Sequence, residues 1–179
     1  ANDFGPDQML VNTSEPGDVR FTEVRGDRDL TTARSKVMGR GSFKGMGVAF
    51  TYDDGADLPK ILVSNITTPY ALHESNLAFV PTGEGSAFLD GTVPYTENSE
   101  ALGIARSGWA WDIKAGDFDN DGTDEILQAT GFLQGERNRW PELQEIAMGN
   151  DQLLKYPQAW PDFSEGSDLS GHETNPFWV

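Results

Sequence analysis

The pattern of apolar and polar residues predicts short β-strands along most of the chain. Trp109, Trp111 and Ile113 alternate with small or polar residues, which is the period of a strand with one buried face. An apolar run of strand length, 126–130, follows after an acidic stretch. Further strands are predicted to end near Phe50 and to lie at about 60–65, about 76–80 and about 87–89. The pattern is therefore typical of an all-β fold.

Parts of this pattern recur, which indicates an internal repeat. Residues 61–64 align without gaps with residues 126–129, and residues 19–23 are similar to residues 93–97. Each unit contains four short strands, which is the number in one blade of a β-propeller. The predicted fold is therefore a partial β-propeller of about two blades, each a four-stranded antiparallel sheet, with a small helical and aromatic insertion.

In this alignment both ends of the chain fall inside a repeat. Residues 7–11 and residues 175–179 each correspond to the strand that follows Asn76. A closed propeller needs at least about four blades. We therefore expect a longer polypeptide, or other chains that pair with the ends. The predicted division is the end of a first blade with its connection at 1–44, a second blade at 45–106 and a third blade at 107–179.

The acidic stretch 117–125 carries side chains at alternate positions around one glycine. Carboxylates spaced in this way along a tight turn can face inward, and they are the ligands that Ca²⁺ prefers. Without a cation they would repel one another, so we favour a calcium loop over a solvated turn. Gly122 permits the sharp turn. The predicted ligands are the carboxylates of Asp117, Asp119, Asp121 and Glu125 and the carbonyl of Thr123.

The surroundings of this loop exclude an EF-hand. An EF-hand needs flanking helices and a Glu at position 12, where this chain has Gln128 between strand-like segments. The loop is therefore predicted to join two strands. Adjacent residues in a strand face opposite sides, so we expect Asp124 to point away from the metal.

The second repeat has a loop at the same place, residues 52–60. Tyr52, Asp54, Ala56 and Lys60 occupy its ligand positions, so that only one carboxylate remains. A Lys ammonium at the last of these positions would oppose a divalent cation. We therefore predict that this loop binds no metal and that Lys60 pairs with Asp54 or a neighbouring acid.

An insertion at 131–174 has no counterpart in the second repeat. A helix is predicted at 141–148, because Pro141 stands in its first turn and Gly149 follows its end. Asn150 is expected to cap a second short helix that runs to Lys155.

Aromatic residues are dense in this insertion. Two interpretations are open: Trp140, Trp160 and Phe163 form a ligand-binding wall, or the aromatic residues only hold a long loop in place. The full set is Phe132, Trp140, Tyr156, Trp160 and Phe163.

Composition narrows the classes of partner. The 179 residues carry a formal net charge of −16, which disfavours nucleic acids and anionic membranes and favours cations. Cys is absent, so disulfides and thiolate chemistry are excluded. No apolar run approaches the ~20 residues of a membrane-spanning helix. The expected partners are other protein segments and a small molecule, and a secreted or extracytoplasmic location is favoured.

The sequence indicates no catalytic residue. Its two histidines, His73 and His172, each precede an acid that could orient an imidazole, Glu74 and Glu173. No nucleophile elbow, phosphate-binding glycine loop or zinc-protease motif accompanies them. Chemistry by tyrosine or carboxylate groups stays open.

Several stretches of the chain resemble a known family. Residues 45–50, 63–66, 70–76, 116–122 and 169–172 resemble the FG-GAP and VCBS repeats of ASPIC/UnbV proteins, and residues 138–145 resemble UnbV-type proteins associated with enediyne biosynthesis. The resemblance implies a calcium-stabilised, multi-bladed propeller similar to integrin α-chain heads, several times longer than this chain. It implies no catalytic residue.

Three functions are consistent with these observations. The first is a non-catalytic calcium-binding scaffold or binding module, for example an accessory protein in enediyne biosynthesis. The second is an enzyme or ligand carrier whose site includes the aromatic insertion. The third is an extracellular adhesion or assembly protein.

Overall fold

A computed structural model describes residues 1–3, 5–68 and 74–179, with Asp151 described by its backbone only. His73 and the first part of the 70–76 stretch lie outside the described residues. The strands are β1 Met9–Asn12, β2 Phe21–Val24, β3 Gly45–Thr51, β4 Lys60–Asn65, β5 Leu77–Pro81, β6 Tyr95–Glu97, β7 Ala110–Gly116, β8 Glu125–Thr130, β9 Arg137–Asn138, β10 Ser167–Asp168 and β11 Phe177–Trp178. One α-helix, α1, covers Trp140–Asn150. Short 3-10 helices cover Arg34–Lys36, Gly85–Asp90, Asp151–Lys155 and Pro157–Ala159.

Antiparallel sheets dominate the fold, which confirms the all-β prediction. The largest sheet is a four-stranded meander in the order β3, β4, β5, β6. A second sheet has the order β11, β8, β7, and β1 pairs with β2 in a separate hairpin. The two-residue strands β9 and β10 pair in parallel within the insertion.

Three of the four strands predicted for the second repeat are confirmed, and the fourth is wrong. Residues 87–89 lie in the 3-10 helix Gly85–Asp90, and the fourth strand is β6. The carbonyls of Ala87 and Phe88 accept hydrogen bonds from the turn that follows, from Thr92 and Gly91. Local turn bonds thus use backbone groups that a sheet would need.

The two larger sheets approach each other closely along β3 and β7. The buried Ser64 hydroxyl donates to the Trp111 carbonyl at 2.7 Å, and the Gly47 N–H donates to the same hydroxyl at 2.9 Å. A Cβ on Gly47 would lie 3.0 Å from the Asp112 Cα, so only glycine fits here without a shift. Apolar side chains, among them Leu62 and Ile113, fill the space between the sheets.

A buried amide network joins the same two sheets. The Asn76 side chain is 1% exposed, and its Nδ2 donates to the Ile104 carbonyl at 2.9 Å. Its Oδ1 accepts from the Asn65 N–H at 3.0 Å and from the Gln128 Nε2 at 3.2 Å. These three hydrogen bonds are buried, so breaking one of them would leave polar groups without water to bind. The network therefore favours one alignment of the two sheets.

Segments that align in sequence also pair in equivalent ways. Asn175 precedes β11 as Asn76 precedes β5, and its Oδ1 accepts from the Thr130 N–H at 2.8 Å. The strand partner of Ile126 is Trp178, and that of Ile61 is Phe79. Glu23 and Glu97 correspond in the sequence alignment, and both lie in strand pairs: Glu23 pairs with Leu10, and Glu97 pairs with Phe79.

The helical predictions in the insertion are confirmed in outline. The helix predicted at 141–148 lies within α1, which extends to Asn150 and so includes Gly149. The Asn150 Oδ1 accepts from the Gln152 N–H at 3.2 Å and caps the helix Asp151–Lys155, which is of the 3-10 type. None of the helices in the described residues has the length and apolarity that a membrane span requires.

The two Asn residues provide a matched test of burial. Asn76→Ala should lower the free energy of unfolding by at least about 2 kcal/mol, because it leaves buried partners without hydrogen bonds. Asn175→Ala removes the equivalent bond at an exposed position, where water replaces it, and should cost less than about 1 kcal/mol. Urea unfolding measures both values. Equal losses would show that the network does not depend on burial.

Candidate functional site

The acidic loop joins β7 to β8, as predicted for a strand–loop–strand connection. Its two ends meet where Gly116 pairs with Glu125 across the sheet. Two of its residues adopt left-handed backbone conformations, Asn120 with φ 64° and Gly122 with φ 94°. Asn and Gly are the residue types that adopt this region most readily, so the local sequence fits the turn.

Three of the predicted ligands converge in this loop. Asp117, Asp119 and Glu125 each place a carboxylate oxygen within 4.8 Å of the others. The two aspartates are exposed, whereas Glu125 is only 3% exposed. None of the three forms an ion pair with a Lys, Arg or His in the part of the chain that the structure describes. A cation would therefore compensate this charge.

The loop backbone holds these carboxylates in place. Asp117 accepts hydrogen bonds from the N–H groups of Asp121 at 3.0 Å and Gly122 at 3.1 Å. The Asp119 Oδ1 also accepts from the Asp121 N–H, at 3.0 Å, and the Glu125 Oε2 accepts from the Phe118 N–H at 2.8 Å. A carboxylate has about four lone-pair sites, so each retains capacity for a metal. The donor set thus fits a hard cation such as Ca²⁺.

Of the other loop residues, Asp121 and Thr123 were predicted to bind the metal and Asp124 was predicted to point away from it. Asp121 is outside the convergent group, and its Oδ1 accepts from the Thr123 N–H at 2.8 Å. Its ligand role and that of the Thr123 carbonyl stay predictions. Asp124 points away from the group, as predicted, because its Oδ2 accepts from the Thr51 hydroxyl at 2.6 Å. That bond connects the loop to β3.

The corresponding loop of the second repeat contains an internal ion pair. Lys60 pairs with Asp53, a neighbour of the predicted partner Asp54. The general form of the prediction, a pair with a nearby acid, is confirmed. That this loop binds no metal stays a prediction.

The aromatic residues of the insertion pack around Trp109, whose central place the sequence did not indicate. Trp109 is 2% exposed and stacks on Phe132 with ring centroids 5.2 Å apart. Trp140 and Trp160 meet it edge-on at 6.0 and 6.5 Å. The buried side chains of Leu143, Leu154 and Leu169 complete this cluster. The alternation of Trp109 with Trp111 and Ile113 marked Trp109, which directly precedes β7, as an inward-facing residue, but it did not reveal the partners of Trp109.

The three residues of the predicted ligand wall pack in this one cluster but do not line a common cavity. Trp160 lines an apolar cavity, Trp140 lines a polar pocket elsewhere, and Phe163 packs edge-on against Trp160 at 6.4 Å. Tyr156 is exposed. Most of the aromatic surface thus holds the insertion against β7.

The polar pocket, of about 370 Å³, contains His172 and Glu173. The His172 Nε2 lies 3.0 Å from the Gly135 carbonyl and 3.3 Å from Asp168, so its acidic partner is not Glu173. Burial raises the pKa of Glu173, although its Oε2 accepts a hydrogen bond from the Trp109 N–H at 2.6 Å. Glu74 binds Lys44 instead of a histidine within the described residues. His172, Glu173 and Glu74 therefore each form a contact between different segments of the fold.

No known protein family, curated protein or solved structure matches the chain.

The central place of Trp109 can be tested by truncation. Trp109→Ala should lower the free energy of unfolding by about 3–5 kcal/mol, because it opens a cavity within the cluster. Tyr156→Ala, at an exposed aromatic residue of the same insertion, should cost less than about 1 kcal/mol. Urea unfolding of both variants gives the comparison. Similar losses would contradict the assignment of Trp109 as the centre of the cluster.

Proposed function

We propose that the chain is a calcium-binding β-propeller segment that acts as a non-catalytic scaffold or binding module. The observation that carries the proposal is the convergence of the Asp117, Asp119 and Glu125 carboxylates within 4.8 Å. Calcium is favoured over magnesium because Mg²⁺ requires near-ideal octahedral geometry, whereas Ca²⁺ accepts the irregular oxygen set of a loop.

The arrangement of strands supports the propeller. Strands β3 to β6 form a four-stranded antiparallel meander, which is the strand arrangement of one blade. The next sheet packs its first strand, β7, against β3, the first strand of the meander. The equivalent hydrogen bonds of Asn76 and Asn175 support a repeated unit.

The candidate catalytic side chains form contacts within the fold, which supports the proposed role as a scaffold. His172, Glu173 and Glu74 each bind another part of the fold. The resemblance of residues 138–145 to UnbV-type proteins extends the proposal to an accessory role in enediyne biosynthesis. Exposed Asp117 and Asp119 suit a site of modest affinity, and extracellular calcium-binding modules work at about 10⁻⁴–10⁻³ M. A secreted or extracytoplasmic location is therefore part of the proposal.

A protein partner fits the edge of the second sheet. Strand β11 pairs with β8 on one side and has no strand partner on its other side among the described residues. Phe177 is half exposed there and lies next to the exposed Phe118, with ring centroids 5.8 Å apart. Open strand edges readily pair with another strand. We propose that a further protein strand adds to β11.

Calcium should stabilise the protein through this loop. At a free calcium concentration of 100 times Kd, binding to the folded state adds about 2.7 kcal/mol. Asp119→Ala should remove this gain, and its thermal midpoint in EDTA should stay close to that of the unmodified chain. Thermal unfolding in calcium and in EDTA measures the difference.

Asp124→Ala is the matched control for that experiment. It removes an aspartate from the same loop, but one that binds Thr51 instead of facing the convergent group. Its midpoint should fall equally in calcium and in EDTA, so that the calcium-dependent gain persists. A gain that survives in Asp119→Ala, or is absent from the unmodified chain, would refute the site.

The number of sites is a separate prediction. Isothermal titration should give one calcium ion per chain, because Lys60 occupies a ligand position in the second loop and pairs with Asp53. Glu125→Gln should abolish the binding and Lys60→Ala should leave its stoichiometry unchanged. A stoichiometry of two in the unmodified chain would show that the second loop also binds metal.

A further inference from the structure

An apolar cavity of about 150 Å³ lies beside Trp109, on the insertion side of β7. Four aromatic side chains, Trp109, Trp111, Phe132 and Trp160, contribute to its wall. Phe132 remains 40% exposed although it stacks on Trp109. An apolar cavity of this size holds a benzene-sized molecule. The packing of the insertion therefore leaves room for a small ligand.

The polar atoms of two of these rings are already used. The Trp111 Nε1 donates to the Gly131 carbonyl and the Trp160 Nε1 donates to the Leu154 carbonyl, each at 2.5 Å. These bonds fix the two indoles. Apart from the buried Trp109 Nε1, which has no hydrogen-bond partner among the described residues, the rings offer a ligand carbon and π surface, which attracts cations through its quadrupole.

Two charged residues, Asp3 and Lys44, also line the cavity. The Lys44 Nζ lies 2.8 Å from the Glu74 Oε1, so a carboxylate compensates its charge. Asp3 has no hydrogen bond or ion pair to any residue that the structure describes. Burial raises the pKa of Asp3, although Lys44 opposes this shift. Lys44 thus acts on Asp3 only from beyond ion-pair distance, and a partly desolvated carboxylate that lacks a close ion pair favours a cation near it.

From this combination we propose that the cavity binds a small organic ammonium ion, such as a trimethylammonium headgroup. The aromatic rings would surround the methyl groups and Asp3 would face the positive charge. Desolvated cation–π contacts favour binding of the charged ligand, and a neutral ligand of the same shape does not gain them. The net charge of −16 also raises the concentration of cations near the surface. The site is independent of the calcium loop.

The test compares choline with 3,3-dimethyl-1-butanol, its neutral isostere, by tryptophan fluorescence and isothermal titration of the whole chain. Choline should bind saturably, and the alcohol should bind at least about tenfold more weakly, which corresponds to 1.4 kcal/mol. Equal affinity for both compounds would overturn the proposal, because the cavity would then select only for shape. Absence of choline binding would also overturn it.

Two pairs of variants locate the binding. Phe132→Leu should weaken choline binding about tenfold, and Tyr156→Leu, at an exposed aromatic residue outside the cavity, should leave it unchanged. Asp3→Asn should weaken it by a similar factor, and Asp54→Asn, in the distant 52–60 loop, should not. Thermal unfolding confirms that each variant folds. Unchanged choline affinity in a folded Phe132→Leu or Asp3→Asn would overturn the proposal.

Discussion

The turn between β7 and β8 holds three carboxylates, those of Asp117, Asp119 and Glu125, within 4.8 Å of one another, and groups of like charge repel. Solvent screens the two exposed aspartates strongly, so their mutual repulsion is modest, whereas the buried Glu125 is screened less. The backbone offsets part of this repulsion, because the N–H groups of Phe118, Asp121 and Gly122 donate to the three carboxylates. A bound cation would offset the rest. The arrangement of the three carboxylates is therefore suited to the proposed cation.

The same turn is connected to the contact between the two large sheets. Asp124 binds Thr51 on β3 while its neighbour Glu125 faces the convergent group, so adjacent residues serve the sheet contact and the candidate metal. Further along that contact, Ser64 binds Trp111 and Asn76 binds Gln128. These polar contacts are partly or fully buried and depend on specific partners, so they set the alignment of the sheets more narrowly than apolar packing alone. Ion binding at the turn would therefore stabilise the sheet contact as well.

The sequence predicted the strands and helix caps that depend mainly on residues close to one another in the chain. The period of two marked β7, the internal repeat placed β4, and Asn150 caps the helix that its residue type predicted. The strand predicted at 87–89 is wrong because turn hydrogen bonds to Ala87 and Phe88 compete with sheet pairing. Lys60 pairs with Asp53 and not with Asp54, because the conformation of the turn determines which of the two carboxylates lies near the ammonium group. Trp140 and Trp160 both pack on Trp109 but line different cavities, and these tertiary contacts are not revealed by any sequence period.

Anomalous diffraction from crystals grown in calcium would test the proposed calcium site most directly. One anomalous peak is expected between Asp117, Asp119 and Glu125, with six to seven oxygen ligands at about 2.3–2.6 Å. No peak is expected between Asp53 and Lys60. Density for water alone among the three carboxylates, or calcium bound only in the 52–60 loop, would refute the proposed site.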